Sequence, residues 1–408
     1  MMNRIAVLCS AAALLGILSM IVGCSEPNSN AVKKLRLAVE FPDGPNQVPL
    51  VIKTDLPADL EPDERGWEAV PVNGEKGDAV PVQFGEEGKL VFLWRQTKAC
   101  GKREFEIRPS GNTSAEFKIE QASEKQLLIS RGGIPAIGYV HGMQLAEGVP
   151  EDRRRSCYFH PLWSADGSTV LSDDFPEDHY HHRGVFWTWP QVFVHDDTLS
   201  LWDIRGIKQK FESWLVRESG PVFAQLGVRN GWYTDDGQKV VDERVLATVY
   251  NASGLGRMID FEFRWEATES RVGIQGSADI KGYGGFSLRF APFKEPKITT
   301  IEGVQSEDSN RIPVAWADLS ARFGDSDSID GVSIFDHSGN IKYPNGWCLR
   351  HYGFTGLAWP GIEPYWLEPG KPLIARYRMW IHAGGAIAGE TAEAYNGWAN
   401  PPVAVVIE

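Results

Sequence analysis

Alternation with a period of two constrains this chain more than any other feature. Ile259, Phe261, Phe263 and Trp265 alternate with Asp260, Glu262, Arg264 and Glu266. In an extended chain, successive side chains point to opposite faces, so this pattern reads as a strand with one face in a core. Phe286, Leu288 and Phe290 alternate in the same way with Ser287 and Arg289, as do Leu373, Ala375, Tyr377, Met379 and Ile381 with Arg376, Arg378 and His382. Phe223 to Val228 and Val245 to Tyr250 add shorter strands. Few windows show a helical period, and 42 Gly and 25 Pro leave little room for long helices. A short helix is expected only over residues 388–398. The expected fold class is therefore all-β, a large sandwich.

The N-terminus reads as a targeting segment. Residues 1–23 join one cation, Arg4, to an uncharged apolar run from Ile5 to Gly23. Ile21-Val22-Gly23-Cys24 resembles a bacterial lipoprotein signal. That resemblance implies cleavage before Cys24, acylation of its thiol, and an exported chain tethered to a lipid membrane in the cell envelope. An ordinary signal peptide or an anchor helix would fit the same residues. Residues 24–32 read as a polar tether, 33–125 as a small β domain, 126–393 as one larger β body and 394–408 as a C-terminal tail. Cleavage would remove Arg4 alone and take the formal net charge from −13 to −14. No stretch concentrates Lys and Arg as phosphate binding requires, so no nucleic-acid partner is expected. Of Cys24, Cys100, Cys157 and Cys348, acylation would leave three thiols, and their pairing is not fixed by spacing. The absence of any CxxC suggests neither a redox thiol site nor a zinc ribbon.

The chemistry concentrates in Asp178-His179-Tyr180-His181-His182-Arg183-Gly184. This polar loop follows Pro176 and feeds the aromatic run Val185-Phe186-Trp187-Thr188-Trp189. Loops held on a rigid sheet are where sites are usually built. Three readings compete. His179, His181 and His182 with Asp178 could hold a divalent metal. One imidazole could be a general acid or base, with Arg183 holding a hydroxyl-rich or anionic ligand. The loop could also be a satisfied polar turn whose histidines bond the backbone. Trp187, Trp189, Trp202, Trp347 and Trp380 invite sugar stacking, although any single Trp is more often core. Tyr158 and His160, the Gly-rich turn Lys281 to Gly285 ahead of Arg289, and the patch Trp347, Arg350, His351, Tyr352 are further polar-aromatic groups. Arg153-Arg154-Arg155 reads as a solvated face.

The string from Tyr158 to Trp189, with Phe175 to Gly184 at its centre, resembles the hallmark of a bacterial family of unknown function labelled "methane oxygenase PmoA". Glu243-Arg244, Phe286 to Arg289, Phe335-Asp336-His337, Trp347, Arg350, Tyr352-Gly353 and Tyr377-Arg378 extend the match over about residues 125–393. Pro161-Leu162, an Asp-Gly turn and a loop ending in His-Arg-Gly are also similar to galactose mutarotase-like proteins. That second resemblance implies a β-supersandwich carrying a carbohydrate ligand on a concave sheet. It leaves Glu363 and Glu368 as candidates, by position, for a late carboxylate. The readings together make His181, His182 and Asp178 candidate acid–base residues. Tyr158, His160, Arg183, Trp187, Lys281, Arg289, Trp347, Arg350 and Tyr352 become candidate substrate contacts. The expected activity is a carbohydrate-active hydrolase, lyase or epimerase; the alternatives are a non-catalytic glycan-binding lipoprotein and a metal-dependent oxygenase.

Overall fold

The computed structural model describes residues 35–57, 66–72, 79–85, 88–97, 101–110, 116–251, 254 and 256–407. The leader, the tether with Cys24, and Cys100 lie outside the described residues. Almost every described element is a strand, and the strands form four antiparallel sheets. Two of these sheets have nine strands each and make the body of the protein.

The first large sheet runs, in spatial order, Ser309–Pro313, Gly346–Arg350, Phe354–Leu357, Gly285–Arg289, Val185–Thr188, Tyr158–Leu162, Ile134–Val140, Gln126–Arg131 and Phe117–Ser123. The second has Ile207–Ser219 at one edge, the long strands Lys239–Asn251, Gly256–Ala267 and Leu373–Ala383 in its middle, and Gly303–Gln305 at the other edge. One apolar core fills the space between them. Phe159 meets Phe261 at 5.4 Å between ring centroids, Trp187 meets Phe263 at 4.8 Å, and Phe286 stacks on Tyr377 at 4.9 Å. Such ring pairs add about 0.5–1.5 kcal/mol each beyond the area they bury. The all-β sandwich expected from the alternation is the observed architecture, with the two large facing sheets that the mutarotase-like resemblance implies. In Gly256–Ala267 the apolar set faces inward and Asp260, Glu262, Arg264 and Glu266 face out, as the pattern requires.

One carboxylate is sealed inside this core. Glu243 is fully buried and accepts hydrogen bonds from Trp232 Nε1 and Trp265 Nε1, both at 2.8 Å, from Asn230 Nδ2 at 2.9 Å and from Gln209 Nε2 at 3.1 Å. Burial pushes its carboxyl above the ordinary Glu value against those four donors.

Two boundaries differ from the expected ones. Phe117–Ser123 pairs with Gln126–Arg131 in the first large sheet, so a division at residue 125 would cut a hairpin. The short helix expected over 388–398 is Thr391–Ala399, and the residues after it, read as a tail, supply Val403–Val406, which pairs with Leu35–Glu40 at the edge of a seven-stranded N-terminal sheet. That strand has only four residues, too few to show alternation in the sequence. A four-stranded sheet containing Gln191–Val194 and Val272–Gln275 completes the body. Among the described residues no helix is long and apolar enough to cross a membrane.

Candidate functional site

The outer face of the first large sheet carries a cleft of about 360 Å³. Strand parity decides what reaches it. In Val185–Thr188, Val185 and Trp187 point into the sandwich, and Phe186 points out. In Gly346–Arg350, Trp347 and Leu349 point in, and Cys348 points out. Cys348, Arg350 and Phe354 therefore help to wall the cleft from the sheet, while His179, His181 and His182 wall it from the loop. Trp202, Lys281, Tyr283 and Tyr352 come from neighbouring turns.

The loop is built from two successive turns, with His179 N bonded to Pro176 O at 3.0 Å and His182 N to His179 O at 2.8 Å. It enters its strand through Gly184, where a Cβ would stand 2.3 Å from Phe159 O, so no other residue fits. Arg183 locks the loop from beneath. It is fully buried, its guanidinium lies 3.4 Å from the Phe175 ring centroid, and it donates to the carbonyls of Tyr180, His182 (2.7 Å) and Arg153 (2.6 Å). Its Nε is 3.4 Å from Asp174 Oδ1, and Tyr158 donates to Asp174 Oδ2 at 2.9 Å. Burial raises Asp174 to about 7 despite those partners.

Arg155 belongs to the same scaffold. Although its charge run reads as solvated, it is only 4% exposed. It donates to the carbonyls of His181 (3.2 Å), Leu201 and Trp202 (2.9 Å), tying the histidine loop to the Trp202 turn. Burial, with Arg183 close by, lowers it to about 9.

Of the expected substrate contacts, Tyr158, His160, Arg183, Trp187 and Trp347 do not line the cleft. Trp187 and Trp347 are fully buried at inward-facing positions, and Trp347 Nε1 donates to Val314 O at 2.8 Å. Arg183 Nη1 and Nη2 and the Tyr158 hydroxyl are committed to the loop's own scaffold. His160 also stands apart from the cleft wall: its Nδ1 is 3.0 Å from Ser172 Oγ, and burial lowers it to about 4. Of the tryptophans considered for stacking, Trp202 is the one at the cleft. Tyr283 and Phe354 carried no individual signal in the sequence, and Cys348 drew attention only as a thiol. Cys157 and Cys348 are both free and buried.

The remaining candidates do converge. The three imidazoles lie with ring centroids 4.6–5.5 Å apart. His179 stacks on Tyr352 at 5.4 Å and His182 on Phe354 at 5.0 Å, while Trp202 meets His182 edge-on at 5.5 Å. Asp178 Oδ2 lies 2.9 Å from His179 Nδ1, and both Asp178 oxygens accept from Arg289 Nη2, at 2.9 and 3.0 Å. Burial works against the Asp178 charge, but His179 and Arg289 prevail and hold the carboxyl below its usual range. Arg289 is itself buried over Tyr352, and its Nε and Nη1 have no partner among the described residues. Arg350 is anchored by Ser309 O and Asn310 Oδ1, both at 2.6 Å, and Lys281 Nζ lies 3.4 Å from Asp279.

Electrostatics separates the imidazoles. Burial, then the Arg155 cation, pushes His181 down to about 3. Burial and the two neighbouring rings take His182 well below its ordinary value. Its Nδ1 is buried without a hydrogen-bond partner among the described residues. Both rings are neutral near pH 7 and can donate to or accept from a ligand. As placed, they do not converge on one ion. Imidazole lone pairs lie in the ring plane, and His179 and His182 are parallel within 5° at 4.7 Å, so they cannot meet at one metal about 2.1 Å from each. Among the described residues no group of three or more His, Cys, Asp or Glu side chains is placed to hold a metal.

Fold and cleft together define a β-supersandwich protein with a histidine-walled cleft on the outer face of one large sheet. The chain belongs to the family of unknown function DUF6807, whose model matches residues 126–396. That description assigns no activity and does not carry the methane-oxygenase label. No curated protein matches the chain in sequence. Among solved structures it is similar to an alpha-mannosidase from Enterococcus faecalis, at 10% identity and a TM-score of 0.42. The similarity covers 92% of this chain and 46% of that one, so the chain spans about half the length of that enzyme.

Proposed function

We propose that this cleft binds carbohydrate and that the chain is a carbohydrate-active enzyme, exported and held to a membrane by lipid on Cys24. The observation that carries the reading is His179 at the wall of the cleft, with Asp178 2.9 Å from its Nδ1, beside the rings of Tyr283 and Tyr352 and the edge of the buried Trp202 cluster. A carboxylate 2.9 Å from Nδ1 is near enough to hold a proton on that nitrogen once the two align on a bound ligand, which leaves Nε2 to take or give a proton. Neutral His181 and His182 suit hydrogen bonding to hydroxyls, and the aromatic rings suit the apolar face of a sugar ring. His179, read in the sequence only as a metal ligand, is thus the better candidate base, with Asp178 its positioning residue and His181 and His182 binding residues.

The test is turnover on a panel of oligosaccharides, read as new reducing ends, unsaturated ends or change of anomer. His179→Gln should lower turnover by at least about a hundredfold and leave glycan binding in place. Binding that persists with no turnover on any member would instead assign a non-catalytic glycan-binding protein. Globomycin-sensitive processing and loss of membrane association in Cys24→Ala test the anchor.

A further inference from the structure

A second cleft, of about 320 Å³, opens beside the first, with Arg311, Lys342, Trp359 and Glu363 in its wall. The strand Gly346–Arg350 joins the two. Gly346 borders the second cleft, and Cys348 and Arg350 border the first. Four residue steps at roughly 3.3 Å span about 13 Å. The turn at Lys281-Gly282 is the ridge between them. Lys281 faces the first cleft, while a Cβ on Gly282 would stand 3.0 Å from Arg311 Cδ and 3.3 Å from Gly361 Cα, both from residues of the second.

The sign of the charge reverses here. The whole chain has 54 acidic against 41 basic residues, net −13. Lys281 and Arg350 wall the first cleft, each beside a carboxylate (Asp279 at 3.4 Å and Asp308 at 4.0 Å), and Arg311 and Lys342 wall the second, where Glu363 is the one carboxylate in the lining. Neither Arg311 nor Lys342 has an ion-pair or side-chain hydrogen-bond partner among the described residues. Both also hold positive φ, 54° and 63°. That left-handed conformation is unfavourable for any residue with a Cβ and is kept only where its surroundings impose it. Unpaired cations on constrained backbone, in an otherwise acidic protein, fit an anionic ligand and not a neutral one.

We propose that the two clefts form one groove for an anionic polysaccharide. One unit sits in the histidine-walled cleft, and Arg311 and Lys342 hold the carboxylate or sulfate of a unit further along the chain. This rests on the carbohydrate reading above and adds the substrate class. Arg supplies a planar fork that matches either anion, and Lys supplies a point charge.

The experiment measures binding of the full chain to polygalacturonate, to its carboxyl-reduced neutral counterpart and to a sulfated galactan, each as polymer and as single units. One anionic polymer should bind roughly tenfold tighter than the neutral one at low salt, and added salt should erase the difference. Preference for the uronate or for the sulfate ester identifies the anion. Arg311→Ala with Lys342→Ala, two exposed positions away from the histidines, should remove the preference for the polymer and leave single-unit binding unchanged. Circular dichroism verifies that this variant is folded. Equal affinity for the neutral polymer, or no effect of the double variant, overturns the anionic groove and leaves the carbohydrate reading standing. Failure to bind any glycan, charged or neutral, overturns both.

Discussion

Asp178 and Arg289 stand 111 residues apart in sequence, and one guanidinium nitrogen reaches both oxygens of the one carboxylate, at 2.9 and 3.0 Å. The contact joins the histidine loop to the strand beneath it. Arg289 is buried and Asp178 is half exposed, so solvent screens part of the attraction. Asp178→Asn should cost about 1 kcal/mol in urea unfolding at pH 7. The folded carboxyl titrates below its unfolded value, so its contribution is present above about pH 4 and is lost as pH falls through the folded value. The wild type should converge with Asp178→Asn in acid. A constant gap down to pH 2 would remove the pair as its cause.

His181 and His182 give a pH dependence of the same sign for the opposite reason: burial favours their neutral form, whereas the fold favours the charged form of Asp178. Their folded values lie below the unfolded value, so the folded state refuses protons that the unfolded chain accepts. Stability should therefore fall as pH drops below about 6.5, and for His181 the loss continues to about 3. Replacing both rings with Asn should flatten that slope. Ring resonances of the two should stay constant from pH 8 to pH 5 by NMR, and a midpoint near 6.5 for either would contradict their burial.

Trp187 and Trp202 should behave differently on truncation. Trp187→Ala opens a hole against Phe263 and should cost about 3–5 kcal/mol of stability. Trp202→Leu should cost glycan affinity by about tenfold, or 1.4 kcal/mol, at temperatures where the fold is intact. Parallel thermal melts and binding titrations separate the two. Equal losses of affinity per unit of stability would mean that Trp202 is packing alone.

Glu243→Gln changes one atom of a carboxylate that receives four donors. The new amide N–H groups must face donors already aimed at that site, and a buried donor left without an acceptor costs about 1–3 kcal/mol. The variant should unfold at lower urea with an unchanged slope. Wild-type stability would show that the group already carries a proton when folded.

The fold class was legible because strands such as Gly256–Ala267 are wet on one side, and their alternation shows in the residues themselves. The histidine loop was legible as the place of the site for a related reason: polar residues there interrupt an apolar run and end on a glycine. Which tryptophans face the cleft was not legible. Val185–Thr188 is buried on both faces, so the sequence has no contrast from which to read parity. The roles of Arg155 and Arg183 were hidden too, because their partners are mostly main-chain carbonyls, which no side-chain pattern reveals. The Asp178–Arg289 pairing depends on a register set across several strands and has no local mark.

Ala38 lies opposite Val405 in the N-terminal sheet. Synthesis therefore delivers the last partner of that layer after almost everything else. Until it arrives, Leu35–Glu40 presents a bare row of amides and carbonyls on its outer side, able to pair with another chain. Shortened forms ending before Val403 should for that reason be prone to edge-to-edge self-association, even where the sandwich has already formed.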